Sequence, residues 1–250
     1  MAETVFNRYE KKYLLSAEQY HFLLDEISNY MEADDFGLST ICNIYYDTED
    51  SYLIRKSIEK PEYKEKLRLR SYGIPGMESV VYLEIKKKYQ KNVNKRRIAL
   101  TLSQAYDYLE KDIHPPFDSQ ILNEIDYMIH RLPLKRKLYL AYDRTAYRMK
   151  EGGGFRMTVD HNIRSREENM GLECGDQGKL LLRDDRYLLE TKVSGATPLW
   201  FVRILSEGKI MPVSFSKYGM IYKQGVSRTA ITQEWNCMVQ AGNERRYILC

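Results

Sequence analysis

The alternation of basic and apolar side chains in several short segments constrains the fold of this chain more than any other feature. The segment 64–70 reads Lys-Glu-Lys-Leu-Arg-Leu-Arg, so that every second residue is basic. The segments 81–86, 155–160 and 189–193 repeat the alternation. Because successive side chains of a β-strand point to opposite faces of a sheet, these segments predict strands with one charged face and one apolar face.

The charged face carries mainly one sign of charge. Its eleven basic positions are Arg8, Lys12, Lys66, Arg68, Arg70, Lys86, Lys95, Arg97, Arg144, Arg156 and Lys192. Its four acidic positions are Glu10, Glu84, Asp160 and Glu190. A solvated face explains any single strand. Like charges opposite each other destabilise a sheet, however, so the whole set favours a face that binds a polyanion.

The order of the elements predicts an α+β fold, an eight-stranded antiparallel tunnel barrel with a charged lumen and with helices packed on the outside. Strands are predicted at 5–15, 40–47, 63–72, 80–88, 93–102, 137–148, 155–160 and 186–193. Helices are predicted at 16–31, around 53–54, at 103–111, 119–131 and 198–207, and from 216 past 222. No linker divides the chain, so we expect a single domain over 1–250 with a core at about 5–225 and a polar C-terminal tail.

Composition excludes several classes of protein. The chain has 250 residues, and its 39 Lys and Arg against 35 Asp and Glu give a net charge of +4, which does not by itself indicate nucleic acid. It contains neither an apolar run of ~18 residues nor a secretory signal. Cys42, Cys174, Cys237 and Cys250 lack the CxxC spacing of a zinc site. Reduced thiols and a cytoplasmic location are therefore expected.

The acidic residues among so many bases suggest a metal. Mg²⁺ and Mn²⁺ bind one or two carboxylates together with substrate phosphates. Glu190 is the best candidate ligand because it follows Leu188 and Leu189 in an otherwise apolar strand, and Glu84 or Asp160 would assist it. For each acid, an ion pair with a basic neighbour is the alternative.

Eight motifs occur in a fixed order along the chain. They are Arg8-x-Glu10-x-Lys12, Lys66-Leu-Arg68-Leu-Arg70, Leu83-Glu84-Ile85-Lys86, Lys95-x-Arg97, Tyr142-Asp-Arg144-Thr-Ala-Tyr147, Arg156-Met-Thr-Val-Asp160, Leu189-Glu190-Thr-Lys192 and Ser214-Phe-Ser-Lys217-Tyr218. Over about residues 5–225 this series resembles the VTC (vacuolar transporter chaperone) domain, the polyphosphate polymerase branch of the triphosphate tunnel metalloenzymes.

The resemblance implies an enzyme that transfers the γ-phosphoryl group of ATP to a growing polyphosphate chain. Its ligands would be ATP or another nucleoside triphosphate, inorganic triphosphate or polyphosphate, and Mn²⁺ or Mg²⁺. Catalytic roles are expected for Lys12, Arg68, Arg70, Arg144, Arg156 and Lys217. Substrate binding is expected for Arg8, Glu10, Lys66, Lys86, Lys95, Arg97, Tyr142, Lys192 and Ser216. Metal binding is expected for Glu190, with Glu84 and Asp160.

Two positions depart from the wider pattern. Arg8 replaces the first acid of the Glu-x-Glu-x-Lys that the superfamily often has, as is usual in the polymerase branch. Ser214 stands where the family often has lysine, so one phosphate-binding lysine is missing. The wider alternatives are a metal-dependent triphosphatase or polyphosphatase and a non-catalytic polyanion-binding module.

No nucleic-acid ligand is expected, because the acids of the charged face would repel a nucleic-acid backbone. No Walker loop, GxSxG or dinucleotide fingerprint is present either. A membrane partner protein that exports the product is a further hypothesis.

Overall fold

The computed structural model describes residues 9–90, 92–183 and 185–225. Its strands are β1 Tyr9–Ser16, β2 Met31–Asp47, β3 Tyr63–Tyr72, β4 Val80–Tyr89, β5 Asn92–Thr101, β6 Lys135–Met149, β7 Phe155–Arg166, β8 Lys179–Leu180 and β9 Arg186–Val193. Its helices are α1 Ala17–Ile27, α2 Tyr52–Ile58, α3 Leu102–Lys111, α4 Gln120–Arg131 and α5 Leu199–Glu207, followed by α6 at 217–225. Among these residues no helix combines the length and the apolar character that crossing a bilayer requires.

The strands form one antiparallel sheet in the order β1-β9-β7-β6-β2-β3-β4-β5, with the two-residue β8 paired to β7. The predicted α+β fold with an antiparallel sheet is confirmed. β8 is a ninth strand, in a polar stretch where alternation gave no signal. No ladder joins β1 to β5 in the described part of the chain, so backbone hydrogen bonds do not close the barrel there.

Local sequence signals explain most element boundaries. A capping box starts α1, because Ser16 Oγ accepts from Gln19 N and Gln19 Oε1 accepts from Ser16 N. Helix α1 nevertheless ends at Ile27 instead of near 31, since Met31 already pairs with Met149 of β6. Helix α5 starts at Leu199 with Pro198 as its N-cap, one residue after the predicted start at 198.

The sheet is strongly curled. Lys192 on β9 and Lys86 on β4 are close enough to interact electrostatically, although four strands separate theirs in the sheet order. In a flat sheet five strand spacings would place them about 24 Å apart. The face that carries these two lysines is therefore concave, and we call it the inner face.

The outer face is apolar and covered by helices, as predicted. Helices α3 and α4 pack on the outer side of β2–β5 around Leu67, Leu83 and Ile125, and α1 and α5 pack on the other half of the sheet. The inner face is not uniformly charged, because a third apolar cluster joins α2 and α6 to its β2 and β6 residues, including Leu138 and Leu140. These two helices thus cover part of the inner face.

The two edge strands of the sheet, β1 and β5, are protected in different ways. Beside β1, Val213 N donates to Lys12 O at 2.7 Å and Pro212 forms a bridge with Tyr13, so a segment of chain covers this edge. Edge strand β5 instead carries the charged run Lys95-Arg96-Arg97, which discourages pairing with another strand. The covering segment leads directly into α6 and carries Lys217 onto the inner face.

Candidate active site

Residues paired directly across neighbouring strands form rows on the inner face of β1, β9, β7 and β6. The middle row consists of Lys12, Glu190, Thr158 and Ala146. On one side lies the row Leu14, Leu188, Asp160 and Arg144, and on the other side the row Glu10, Lys192, Arg156 and Arg148. Shared parity predicts only that Asp160 and Glu190 lie on the same face, and the register brings them onto adjacent rows.

Asp160 is fully buried and both of its oxygens are engaged. Arg144 donates from Nε to Oδ1 at 2.5 Å and from Nη2 to Oδ2 at 2.8 Å, and Lys217 Nζ also donates to Oδ2. Burial alone would raise the pKa of Asp160, but Lys217 and Arg144 outweigh it and lower that pKa. Asp160 is thus an ionised carboxylate that orients two cations, with little capacity left for a metal.

Glu190 lies beside Asp160 but is held more loosely. Its Oε1 is 3.3 Å from Lys12 Nζ and 3.4 Å from Lys217 Nζ, and its Oε2 is 3.7 Å from Arg144 Nη2. Burial would raise the pKa of Glu190, but the three cations, Lys217 foremost, hold it well below its ordinary value. The carboxylate is ionised, and its long ion pairs leave oxygen lone pairs available to another ligand.

A second cluster surrounds Glu84 on β4, whose side chain is 1% exposed. Arg68 Nε donates to Oε2 at 2.6 Å, Lys95 Nζ lies 2.7 Å from Oε1 and Arg70 Nε lies 3.9 Å from Oε2. Burial would raise the pKa of Glu84, but Arg68 and the other cations lower it to about 2. We call these four residues the Glu84 cluster. The Asp160–Glu190 cluster consists of Asp160, Glu190, Arg144, Lys217 and Lys12.

Strand β2 adds two residues to the Glu84 cluster that the sequence analysis did not identify. Asn43 Oδ1 accepts from Arg70 Nε at 2.9 Å, and Tyr45 Oη accepts from Arg68 Nη1 at 3.3 Å. Burial would raise the pKa of Tyr45, but Arg68 and Lys66 lower it to about 8. The signal was available, since Asn43 and Tyr45 share one parity on a strand that pairs with β3.

Tyr142 lies between the two clusters. Its Oη accepts from Arg70 Nη2 at 3.1 Å. Its ring lies 5.1 Å from Arg144 Cζ and 4.5 Å from Lys217 Nζ, so both cations contact the aromatic face. This predicted substrate-binding residue therefore links the arginines of one cluster to the cations of the other.

Helix α6 positions Lys217 by anchoring its neighbour. Tyr218 Oη donates to Asp47 Oδ2 at 3.0 Å, and the Tyr218 ring lies 5.0 Å from that of Tyr45. Asp47 also accepts from backbone N–H groups at the start of α2, so it is held in place. Ser216, predicted to bind substrate, is exposed and accepts from Gly219 N at 3.3 Å at the start of α6.

Several predicted cations have no carboxylate within ion-pair distance in the described part of the chain. They are Lys66, Lys86, Arg97, Arg156 and Lys192. Burial lowers the pKa of Lys66 to about 8, and burial also lowers the pKa of Lys192. Lys66 faces Lys12 across the inner face, just as Lys86 faces Lys192. These side chains line the open part of the curled sheet and are available to an anion.

Glu10 and Lys12 lie close together on β1. Glu10 Oε1 lies 3.5 Å from Lys12 Nζ, which also donates to Phe215 O at 3.2 Å. Arg8 lies outside the described residues. All the described site residues on strands share the inner face, but Glu84 lies in a different cluster from Asp160 and Glu190.

The donor set fits Mg²⁺ or Mn²⁺ at Glu190 only. No three His, Cys, Asp or Glu residues in the described ranges could enclose a metal, so substrate phosphates would supply the other ligands. Thr158, directly opposite Glu190, has a buried Oγ1 without a hydrogen-bond partner among those residues, which points to a polar ligand beside Glu190. Both oxygens of Asp160 accept hydrogen bonds from Arg144. In Glu84, Oε2 accepts from Arg68, and Oε1 lies 2.7 Å from Lys95 Nζ although it accepts no hydrogen bond among the described residues. The ion-pair alternative therefore suits those two acids better.

The chain is similar to known proteins in both sequence and fold. A sequence model of the VTC domain matches residues 7–225. Among solved structures, a putative adenylate cyclase from Bacillus halodurans is 18% identical, with a TM-score of 0.52 over 83% of this chain and 92% of that chain. A putative adenylyl cyclase from Hippeastrum, described as having a dominant triphosphatase activity, is 16% identical, with a TM-score of 0.49 over 86% and 95%. No protein with a curated description matches the chain.

Proposed function

Starting from the fact that this chain belongs to the VTC domain family, we propose that its inner face binds ATP and polyphosphate and transfers the γ-phosphoryl group between them. One observation carries the proposal. The inner face combines cations that no carboxylate of the described residues approaches within ion-pair distance, such as Lys66, Arg156 and Lys192, with one loosely held carboxylate, Glu190. Phosphate oxygens would supply the missing negative charge.

The roles of the cations follow from the donors that they have left. An arginine has five N–H donors, and Arg144 uses two of them on Asp160. The remaining donors, together with Arg156, would hold phosphate oxygens in bidentate contacts. Arg68 and Arg70 on β3 would also hold phosphate oxygens, from the Glu84 side of the inner face, where Glu84 and Asn43 fix their orientation.

Glu190 would hold Mg²⁺ or Mn²⁺ on the nucleotide phosphates, where the cation supplies charge neutralisation. Lys12 and Lys217, which both contact Glu190, would lie at the reacting end. There, a terminal phosphate oxygen of the chain would attack the γ-phosphorus as the bond to the β–γ bridging oxygen breaks and ADP leaves. Phosphoryl transfer needs mainly positioning and charge neutralisation, which these residues provide without a protein nucleophile.

The experiment is to incubate the purified protein with ATP and Mn²⁺ or Mg²⁺, then to stain a gel for polyphosphate and to measure free phosphate in parallel. Polyphosphate that lengthens with time supports the proposal. Phosphate release without chain growth would replace it with a triphosphatase, and binding without turnover would replace it with a polyanion-binding module. The reaction is proposed to be cytoplasmic, and a membrane partner that receives the product remains a hypothesis.

A further inference from the structure

Strand β7 contains a β-bulge beside the Asp160–Glu190 cluster. The register between β6 and β7 shifts by one residue at Tyr142, so that Asn162 and Ile163 of β7 both lie opposite it. Asn162 has a left-handed backbone conformation, with a φ of 50°, which asparagine adopts more readily than most residues. Bulges bend a strand and change the direction of its side chains, and they are common next to active sites.

The bulge determines which side chains of β7 reach the inner face. Before the bulge, the odd-numbered residues Met157 and Val159 pack on the outer face, and the even-numbered Asp160 lies on the inner face. After the bulge, the odd-numbered Ile163 packs in the apolar cluster of the inner face. In a regular strand two residues of opposite parity could not share a face. The extra residue therefore lets β7 present both Asp160 and Ile163 to the inner face.

Asp143, on the outer face of β6, holds the bulge. Asn162 Nδ2 donates to Asp143 Oδ2 at 2.8 Å, and Thr40 Oγ1 donates to Oδ1 at 2.9 Å. The buried Arg164 donates from Nη1 to both oxygens at 3.2 Å and to the Asn162 carbonyl at 2.8 Å. Burial alone would raise the pKa of Asp143, but the hydrogen bonds from Asn162, Arg164 and Thr40 lower it. We call these four residues the bulge network.

We propose that Asp143 is a positioning residue for phosphoryl transfer, which acts from the outer face through the bulge network. This inference rests on the proposed function and adds a residue that contacts neither substrate nor metal. Arg144 and Asp160 pair directly across β6 and β7. The network fixes the backbone on both sides of this pair, at Asp143 on β6 and at Asn162 on β7. It thereby keeps the register in which Asp160 orients Arg144 and Lys217.

Glu124 provides a matched comparison on the same outer face. Its Oε1 lies 2.7 Å from Arg96 Nη1 and its Oε2 lies 2.9 Å from Lys87 Nζ. Its side chain is 23% exposed and that of Asp143 is 21% exposed. The bases that it contacts lie on β4 and β5, which pair without a register shift. Glu124 therefore makes similar ion pairs without holding a bulge.

The first test compares Asp143→Asn with Glu124→Gln by kcat, by KM for ATP and by denaturant unfolding. In Asp143→Asn, kcat should fall on the order of 10-fold or more, because a small misplacement of the groups around the reacting atoms slows a reaction strongly. KM should change less than kcat. Glu124→Gln should lose stability without losing kcat. Normal kcat in a folded Asp143→Asn protein, or equal losses of kcat in both variants, would overturn the inference.

A second pair of variants changes the backbone of the bulge and leaves Asp143 in place. Asn162→Gly permits the left-handed conformation and keeps the carbonyl that Arg164 contacts. Asn162→Val disfavours that conformation, because a β-branched residue rarely adopts a positive φ. Asn162→Gly should therefore retain most of kcat, whereas Asn162→Val should lose as much as Asp143→Asn. Equal kcat in these two variants would overturn the role of the bulge, even if Asp143→Asn does not fold.

The arginine Nε–H signals of a two-dimensional proton–nitrogen NMR spectrum give a readout that does not require turnover. Arg144 Nε donates to Asp160 Oδ1 at 2.5 Å, so its proton should be protected from exchange with solvent, and the signal is identified by its loss in Arg144→Lys. Asp143→Asn should reduce this protection and Glu124→Gln should not. Unchanged protection in Asp143→Asn would overturn the inference. If the unmodified protein transfers no phosphoryl group, the proposed function fails, and this signal judges the positioning of Arg144 separately.

Discussion

The two carboxylate clusters of the inner face contain similar residues but differ in how tightly their cations contact the glutamate. Glu84 is enclosed by Arg68 and Lys95 at 2.6 and 2.7 Å, and its side chain is 1% exposed. Glu190 has three cations around it, but the nearest contact is 3.3 Å. Asp160, which engages Arg144 and Lys217 tightly, explains why the contacts of Glu190 are loose.

We propose that this difference separates structural acids from a ligand-binding acid. In the Glu84 cluster a single carboxylate makes all the short ion pairs, with Arg68 on β3 and Lys95 on β5. In the Asp160–Glu190 cluster two carboxylates share the cations, and Asp160 takes the short contacts. Glu190 is thereby left charged with room for one more positive group. We therefore propose that Glu190 binds the metal and that Glu84 has a structural role.

The largest effect is expected for Glu190→Gln. Removing this charge removes stabilisation of the transition state, so the rate of phosphoryl transfer should fall on the order of 10²-fold or more. The fold should survive, because Lys217 keeps Asp160 and Lys12 keeps Glu10 as partners. The check is turnover measured beside thermal unfolding. Near-normal, metal-dependent turnover in a folded variant would reduce Glu190 to an ion-pair partner.

Glu84→Gln should instead lower the stability of the fold more than the rate of phosphoryl transfer. Arg68 and Lys95 lose their only carboxylate partner within the described residues. The free energy of unfolding should fall by about 2 kcal/mol at neutral pH, the scale of a hydrogen bond to a charged group. Since the pKa of Glu84 is lowered to about 2, this contribution is present above pH ~4.5 and is lost as the pH falls toward 2. Denaturant unfolding at pH 7 and pH 3 should therefore show a difference between the two proteins that shrinks in acid. A difference that is constant with pH would contradict the ion-pair assignment.

Tyr218→Phe tests how Lys217 is positioned in the Asp160–Glu190 cluster. Without the hydrogen bond to Asp47, the start of α6 is less well fixed, and the transfer rate should fall about 10-fold, equivalent to about 1.4 kcal/mol. KM for ATP should change less than kcat. Tyr222→Phe on the same helix is the matched control, because Tyr222 packs against the same apolar cluster. Equal losses in both variants, or a loss of stability alone, would argue against a positioning role.

The smallest effect concerns pH and the Glu84 side of the inner face. Lys66 and Tyr45 both have a pKa of about 8. Raising the pH from 7 to 9 removes a positive charge from Lys66 and adds a negative charge to Tyr45. At about 0.5 kcal/mol for each charge, or about 1 kcal/mol in all, polyphosphate affinity should fall about 5-fold. Lys66→Arg and Tyr45→Phe should each flatten the profile. If the variant that carries both substitutions shows the same fall in affinity between pH 7 and pH 9, the group that titrates belongs to the ligand and not to the protein.

Sequence reasoning recovered the strands because alternation is a local signal, and β3 and β9 were predicted with the bounds that the structure shows. It missed the first half of β2, where 32–39 is polar and includes Gly37, because only pairing with β6 holds that part in a strand. It placed Glu84 with Asp160 and Glu190, since parity assigns a face but not a neighbour. Which acid satisfies which base depends on register and curl, and these are properties of the folded sheet.

The most direct test of the account is Mn²⁺ binding, measured by electron paramagnetic resonance in the presence of a non-hydrolysable ATP analogue. The unmodified protein, Glu190→Gln and Glu84→Gln are compared, with circular dichroism to show that each is folded. We expect Glu190→Gln to weaken Mn²⁺ binding at least on the order of 10-fold, whereas Glu84→Gln should bind Mn²⁺ as the unmodified protein does. Normal binding by Glu190→Gln together with lost binding by Glu84→Gln would contradict this expectation.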